Sequence, residues 1–190
     1  MLASSSSIRR TMLEAAGVEH ETVAAGIDEA AVKARLTDPA ALALELAKAK
    51  AVAVSAERPG GWVIGSDSVV SVGGRIFDKP ADRGQAAEHL RLFSGQAMHL
   101  TSAVALARGG AVDWSHCDTA SLYVRELSDA FIDAYLEREW PAVSYCVGVF
   151  RIEGPGVQLF NRIEGDQFTI MGMPLIPLLQ ALRERGLLVA

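Results

Sequence analysis

Apolar positions along this chain alternate between a spacing of three to four residues and short unbroken runs, which predicts helices interleaved with buried strands. Ile8, Met12, Leu13 and Ala16 recur at helical spacing and Gly17 stops the run, so residues 7–16 read as a helix. Glu21-Thr22-Val23 is a short strand candidate, and Gly26 to Ala31 carries Asp28-Glu29 at the start of a further helical stretch. Residues 39–55, PAALALELAKAKAVAVS, are rich in strong helix formers, with Pro39 suited to the first helical position and Leu42, Leu46, Ala49 and Ala53 assigned to one face. Lys48 and Lys50 are separated by roughly 200° around such a helix, so only one of them can face a given cleft.

Trp62-Val63-Ile64-Gly65 reads as a buried strand ending at Ser66-Asp67-Ser68. Val69-Val70 then leads through Gly73-Gly74 to Arg75-Ile76-Phe77, a predicted hairpin. Residues 81–93 form an amphipathic pattern with Ala86, Leu90 and Phe93 inward, stopped by Ser94-Gly95. Strands are expected at 99–107, 119–126 and 147–152, a helix capped by Ser128 at 128–137, and a last helix at 174–186 with Leu178, Leu179 and Leu182 inward. This interleaving predicts an α/β fold, a sheet covered by helices.

Half of the 190 residues are apolar and 22% are charged, enough for the core of one globular domain, 1–190, as one compact unit or two lobes. A formal net charge of -5 excludes a general attraction to nucleic-acid backbone, so any phosphate site must be local. Cys117 and Cys146 lack zinc-site spacing and read as free thiols of a reducing cytoplasm. No apolar run reaches the roughly 20 residues that span a bilayer, and no leader pattern opens the chain, so a cytoplasmic protein with no membrane partner is expected.

Four serines, Ser4 to Ser7, stand directly before the first helix, with Arg9 on its first turn. Hydroxyls, unpaired amides and the positive end of a helix dipole suit a phosphate, although the same stretch reads equally as a mobile tail with a solvated arginine. Asp67 at a strand end lies where open α/β sheets place ligands, with an Asp capping a turn as its alternative. Lys79, before Pro80, can ground a phosphate or keep the surface soluble; Asp28-Glu29 can serve a site or a helix dipole. Ser94-Gly95 with His99 reads as a turn and a surface histidine. Taken together, cations and carboxylates without an activated nucleophile or a redox group suit metal-assisted hydrolysis of a polyphosphate.

The order of these motifs resembles the Maf family of nucleotide pyrophosphatases over nearly the whole chain. Leu2-Ala3-Ser4-Ser5-Ser6 with Arg9 matches the family's phosphate loop, Asp28-Glu29 its acidic pair, and Leu46-Ala47-Lys48-Ala49-Lys50-Ala51 its Leu-Ala-x-x-Lys-Ala helix. Ile64 to Val70 matches the strand with its aspartate, Lys79-Pro80 the Lys-Pro turn, and Phe93-Ser94-Gly95 with His99 the Leu-Ser-Gly-like turn. Glu153-Gly154-Pro155-Gly156, Ile163-Glu164-Gly165 and Gly172-Met173-Pro174-Leu175 complete the series.

The resemblance implies a central mixed twisted sheet flanked by helices, two lobes around a nucleotide cleft, and cleavage of a nucleoside triphosphate to the monophosphate and pyrophosphate. It implies that Ser4, Ser6 and Arg9 hold the triphosphate, that Lys50 and Lys79 neutralise the leaving pyrophosphate, and that Asp67 orients or deprotonates water. Glu29 and Asp67 would hold Mg2+ or Mn2+, and a homodimer is implied by the family alone. Three departures stand out. Ser7-Ile8 replaces a Pro-Arg, shifting the phosphate contact to Arg9; Cys146-Val147-Gly148 replaces a Lys-Ala-Gly; and Ile152-Glu153-Gly154 replaces an Ile-Gln-Gly. An ionised glutamate only accepts hydrogen bonds, whereas glutamine also donates. Glu153 therefore looks closer to members that act on 7-methyl-GTP than to those that act on dTTP or UTP. The alternatives from other classes are a nucleotide-binding regulator of cell division with little turnover, and a thiol or metal switch on Cys117 and Cys146.

Overall fold

The structure, a computed structural model, describes residues 1–189. Strand β1 (Leu2–Ala3) leads through the serines into helix α1 (Ser7–Ala15). Helices α2 (Glu29–Lys33) and α3 (Pro39–Glu57) each begin at an aspartate that accepts an amide one turn on: Asp28 from Ala31 at 3.1 Å and Asp38 from Ala41 at 2.8 Å. Strand β2 (Trp62–Val72) turns at Gly73-Gly74 into β3 (Arg75–Phe77), with Val70 opposite Phe77 and Val72 opposite Arg75, the hairpin the sequence predicts. Helix α4 (Arg83–Phe93) follows, then the long strands β4 (Ala97–Arg108) and β5 (Ala111–Val124). Helix α5 (Asp129–Glu139) starts at Ser128, whose hydroxyl accepts the Phe131 amide. Two 3-10 turns, Ala142–Tyr145 and Pro155–Leu159, precede β6 (Phe160–Glu164), α6 (Gln167–Met171) and α7 (Leu175–Glu184).

The six strands, with seven helices among the described residues, make one mixed sheet in the order β1-β2-β4-β5-β6, with β3 paired to β2. Strand β1 runs parallel to β2, whereas β3 and β6 run antiparallel to their neighbours. The chain forms two compact units. Unit 1 comprises Met1–Ser68, Thr101–Thr119 and the stretch from Asp166 onward; unit 2 comprises Val69–Leu100 and Ala120–Gly165. Unit 1 has an apolar core in which Leu2, Leu13, Ile64, Leu106, Met173 and Leu178 are buried. Unit 2 packs α4 on α5 and buries Leu90, Phe93, Met98, Ile132 and Leu136.

Five expectations are corrected. Helix α3 turns Leu42, Ala43, Leu46, Ala47, Ala51 and Val54 inward, with Ala49 and Ala53 only half-buried. Its alanines and valines make it apolar on nearly every side, so spacing does not select a face. Strand β2 does not end at Ser66-Asp67-Ser68 but runs on to Val72, because those polar side chains find partners inside the protein. Residues 147–152 are not a strand: Val149 has φ 57° and its amide turns back to Cys146 at 3.0 Å, so the backbone closes on itself. Strand β5 starts at Ala111 rather than 119, its polar first half taking strand form despite its composition, and Leu179 on α7 is only half-buried.

One polar group in the core of unit 2 has no partner. His89, 8% exposed, packs edge-on against Phe77 at 5.2 Å and lies beside Phe93, and its Nδ1 makes no hydrogen bond. Burial, with Arg75 adding to it, holds its pKa below the ordinary histidine value, against the opposing pull of Glu88 and Asp78. The unfolded chain therefore takes up this proton first as pH falls, and stability is lost from about pH 6.5 downward. The thermal midpoint of the native protein should fall more between pH 7.5 and 5.5 than that of His89→Leu, while the two respond alike above pH 7.5; parallel midpoint curves would remove His89 as the cause.

Candidate functional site

In unit 1 the site is set by how closely a helix approaches a strand. A Cβ built on Gly65 would lie 2.2 Å from the Ala47 carbonyl oxygen and 2.7 Å from the Ala51 nitrogen, so α3 lies against β2 backbone to backbone at this point. Successive strand residues face opposite ways, so Asp67 shares the face of Gly65 and looks toward α3. Lys50, the residue before Ala51, meets it: Nζ lies 2.5 Å from Asp67 Oδ1 and 2.7 Å from Glu29 Oε1. Lys50 and Asp67 are nearly closed off from solvent, with side-chain exposures of 12% and 14%, which strengthens their attraction relative to a surface pair. Glu29, at the first position of α2, is half-exposed.

Asp67 therefore lies within a strand rather than at its end, and Lys50 rather than Lys48 is the lysine that reaches the carboxylates. Ser66 and Ser68 project from the other face of β2. Pairing of Ala3 with Gly65 brings the N-terminal loop alongside them.

There Arg9, 9% exposed, donates to four acceptors: Gly172 O at 2.8 Å from Nε, Ser66 O at 2.9 Å and Ser4 Oγ at 3.4 Å from Nη1, and Ser68 Oγ at 2.9 Å from Nη2. The hydroxyl network continues from Ser68 to Ser102 at 2.8 Å and from Ser102 to Thr169 O at 2.7 Å. Burial lowers the Arg9 pKa, and Asp67 and Glu29 oppose that, which places both carboxylates within electrostatic reach of the guanidinium. Arg9 thus has a role its exposed-looking sequence context did not suggest: it ties the serine loop to β2 and to the turn at Gly172. With four of its five N–H donors engaged, one Nη2 donor is left for a ligand. Arg10 is solvent-exposed and pairs only loosely with Glu14 at 3.7 Å.

Ser4 is buried, and its Oγ accepts the Ser6 amide at 3.2 Å. Five helices carry a side-chain cap on a first-turn amide, from Asp28, Asp38, Asp82, Ser128 and Asp166, whereas Ser6 at the start of α1 supplies none. The serines are used to shape the loop, leaving first-turn amides of α1 without a capping side chain, an arrangement an anion can complete.

Lys79 and Glu153 belong to unit 2, and both are exposed. Both act on the thiol of Cys146, whose pKa is pushed up to about 11, by burial first and Glu153 next, against the pull of Arg151 and Lys79. Burial also raises the Cys117 thiol. Two protonated free thiols lack the thiolate character a sulfur switch requires. Among the described residues, no group of three or more His, Cys, Asp or Glu side chains converges, and no helix is long and apolar enough to cross a membrane. His99 is on β4 with Ser121 at 3.0 Å, a surface pair.

Sequence reasoning named Asp67, Lys50 and Glu29 but missed Ser66, Ser68, Ser102, Thr169 and Gly172. The one local signal was the alternation Ser66-Asp67-Ser68 inside an apolar run, which reads as a strand with two occupied polar faces once the strand is allowed to continue.

The family model described as "Maf-like protein" matches residues 1–185 of this chain. The 7-methyl-GTP pyrophosphatase of Rhizobium meliloti (strain 1021) is 47% identical over 190 residues, covering 98% of this chain and 96% of that protein. The 7-methyl-GTP pyrophosphatase of Rhizobium etli (strain ATCC 51251 / DSM 11541 / JCM 21823 / NBRC 15573 / CFN 42) is 49% identical over 190 residues, covering 98% and 96%. The nucleoside triphosphate pyrophosphatase of Rhodopseudomonas palustris (strain BisB18) is 44% identical over 190 residues, covering 99% and 94%.

Gly65→Ala tests the contact on which the cluster depends. The obstructing atom is backbone, so α3 must shift, and the substitution should lower stability by about 2–3 kcal/mol in denaturant unfolding. Unchanged stability would show that α3 yields easily and that Gly65 does not fix the cluster.

Proposed function

The chain belongs to the Maf family, and from that premise we propose that it hydrolyses a nucleoside triphosphate to the nucleoside monophosphate and pyrophosphate, with 7-methyl-GTP as the preferred substrate. The observation that carries the reading is Lys50 Nζ held between Asp67 and Glu29 next to a buried serine–arginine loop. The names of the relatives, two of them 7-methyl-GTP pyrophosphatases, support the choice of base.

In this reading Ser4, Ser6, the first-turn amides of α1 and the remaining Nη2 donor of Arg9 hold phosphate oxygens. Lys50 and Lys79 act as point charges on the leaving pyrophosphate, whose charge grows as the anhydride bond breaks. Asp67 accepts a hydrogen bond from the attacking water and takes its proton as the new P–O bond forms. Glu153 accepts from the guanine N1 and N2 donors, and its charge suits a cationic methylated base.

Glu29 and Asp67 fit a divalent ion. Both already hold one cation, the Lys50 ammonium, and two carboxylates together with substrate phosphate oxygens are a donor set that Mg2+ accepts. When bound, the ion supplies further neutralisation of the triphosphate. The two free cysteines support a cytoplasmic setting.

Pyrophosphate release measured across dTTP, UTP, CTP, GTP and 7-methyl-GTP, with magnesium or manganese, should be largest for the methylated guanine. Asp67→Asn should keep the fold and lower kcat by about 10²-fold or more, since shape survives while the basic carboxylate is lost. Tight nucleotide binding without metal-dependent pyrophosphate release would sink the hydrolase and favour a nucleotide-binding regulator.

Lys50→Ala should weaken the triphosphate more than the monophosphate, by about tenfold or more in Kd ratio for a lost charged contact. Equal weakening of both ligands in calorimetry would place Lys50 away from the distal phosphates.

A further inference from the structure

Within unit 2, helix α5 grips the segment that follows it with two side chains one turn apart. Tyr135 donates its hydroxyl to the Val149 carbonyl at 2.9 Å in buried surroundings. Glu139, 4% exposed, accepts two N–H groups of Arg151 on one carboxylate oxygen, at 2.8 Å from Nη2 and 3.1 Å from Nε. Burial, then Glu139, raises the Tyr135 pKa, so the phenol remains a donor throughout the neutral range.

Between these two held points the backbone is strained. Val149 is fully buried with φ 57°, a left-handed conformation that β-branched residues avoid and that costs about 1–3 kcal/mol. Such a conformation persists only where its surroundings enforce it. Beyond it, Gly154 N donates to Arg151 O at 3.2 Å and closes a tight turn. The Arg151 backbone is in turn pressed against Gly156, where a Cβ would lie 2.6 Å from the Arg151 oxygen. Glu153 is the exposed residue of this turn. A mere connector would gain by relaxing at Val149; here a phenol and a buried carboxylate hold it in place.

We propose that Tyr135 and Glu139 are positioning residues for base selection: they fix the segment from Val149 to Gly154 and so set where Glu153 presents its carboxylate. The inference rests on the reading of Glu153 as the base-recognising residue. Neither Tyr135 nor Glu139 is assigned a contact with substrate; both act through the turn.

The test compares Tyr135→Phe, Glu139→Gln and Glu153→Gln by kcat/KM on 7-methyl-GTP and on UTP, alongside amide hydrogen exchange over residues 147–154. Tyr135→Phe removes only one hydroxyl and decides the matter if Glu139→Gln does not fold. Both clamp variants should lower the ratio of 7-methyl-GTP to UTP efficiency by about tenfold, through a raised KM for the methylated substrate with kcat on UTP unchanged, and should speed exchange at the Gly154 amide. A merely structural role would depress both substrates together. Unchanged exchange and an unchanged ratio in the clamp variants, with the ratio lowered in Glu153→Gln, would overturn the inference and leave Glu153 in its role. A ratio lowered by the clamp variants but not by Glu153→Gln would overturn the inference, since the clamp would then act on selectivity by a route other than Glu153. No change in any variant overturns both.

Discussion

The closeness of α3 to β2 at Gly65 is the constraint on which unit 1 depends. With the Ala47 carbonyl oxygen where a side chain would begin, helix and strand are held at backbone contact, and the next inward strand residue, Asp67, falls within reach of Lys50. A glycine that contributes no chemistry thus determines which two charged groups meet. The alanines of α3 follow from the same requirement: Ala43, Ala47 and Ala51 are fully buried, and larger side chains there would lift the helix from the strand.

The opposite face of β2 meets a different demand. A buried guanidinium has five N–H donors to satisfy, and unit 1 satisfies four of them with two backbone carbonyls and two serine hydroxyls drawn from β2, the N-terminal loop and the turn at Gly172. That turn has φ 109° at Gly172, a conformation open to glycine, which lets its carbonyl accept from Arg9 while Ser66 and Ser68 lie 3.1 and 3.0 Å away. Alternate residues of one strand therefore serve two networks, one ionic on the α3 side and one of hydroxyls around Arg9.

These networks explain what could be read from the sequence and what could not. Helix positions followed from apolar spacing and from local start signals, because Asp28, Pro39 and Ser128 act within a few residues of where they stand. The inward face of α3 was not legible, since it is chosen by Gly65 eighteen residues after Ala47 and not by its own periodicity. Polar residues inside β2 read as a strand end because their partners, such as Gly172, Ala103 and Lys50, are distant along the chain. The strand expected at 147–152 failed for a related reason: a buried phenol on α5 imposes a turn on an apolar run that alone would extend. The candidate residues were named through charge at recognisable places; the groups packed around them are neutral, small or backbone, and leave little trace in a single sequence.

Charge balance constrains how such a site handles a polyanion. In unit 1 Arg9 and Lys50 are offset by Asp67 and Glu29, so the cluster sums to no net charge within a chain whose formal charge is -5. The Lys50 ammonium has three N–H donors and lies 2.5 and 2.7 Å from two carboxylates, so under the proposed function a phosphate would meet it through the remaining donor or by displacing one of these partners. If it displaced Asp67, that carboxylate, 14% exposed, would lose its close counter-ion where an uncompensated charge is unfavourable. Under the proposed function Asp67 and Glu29 would hold a divalent cation, which would restore that balance. The ion pairing of Lys50 and, under the proposed function, a coupled demand for substrate and cation would then be two consequences of one arrangement.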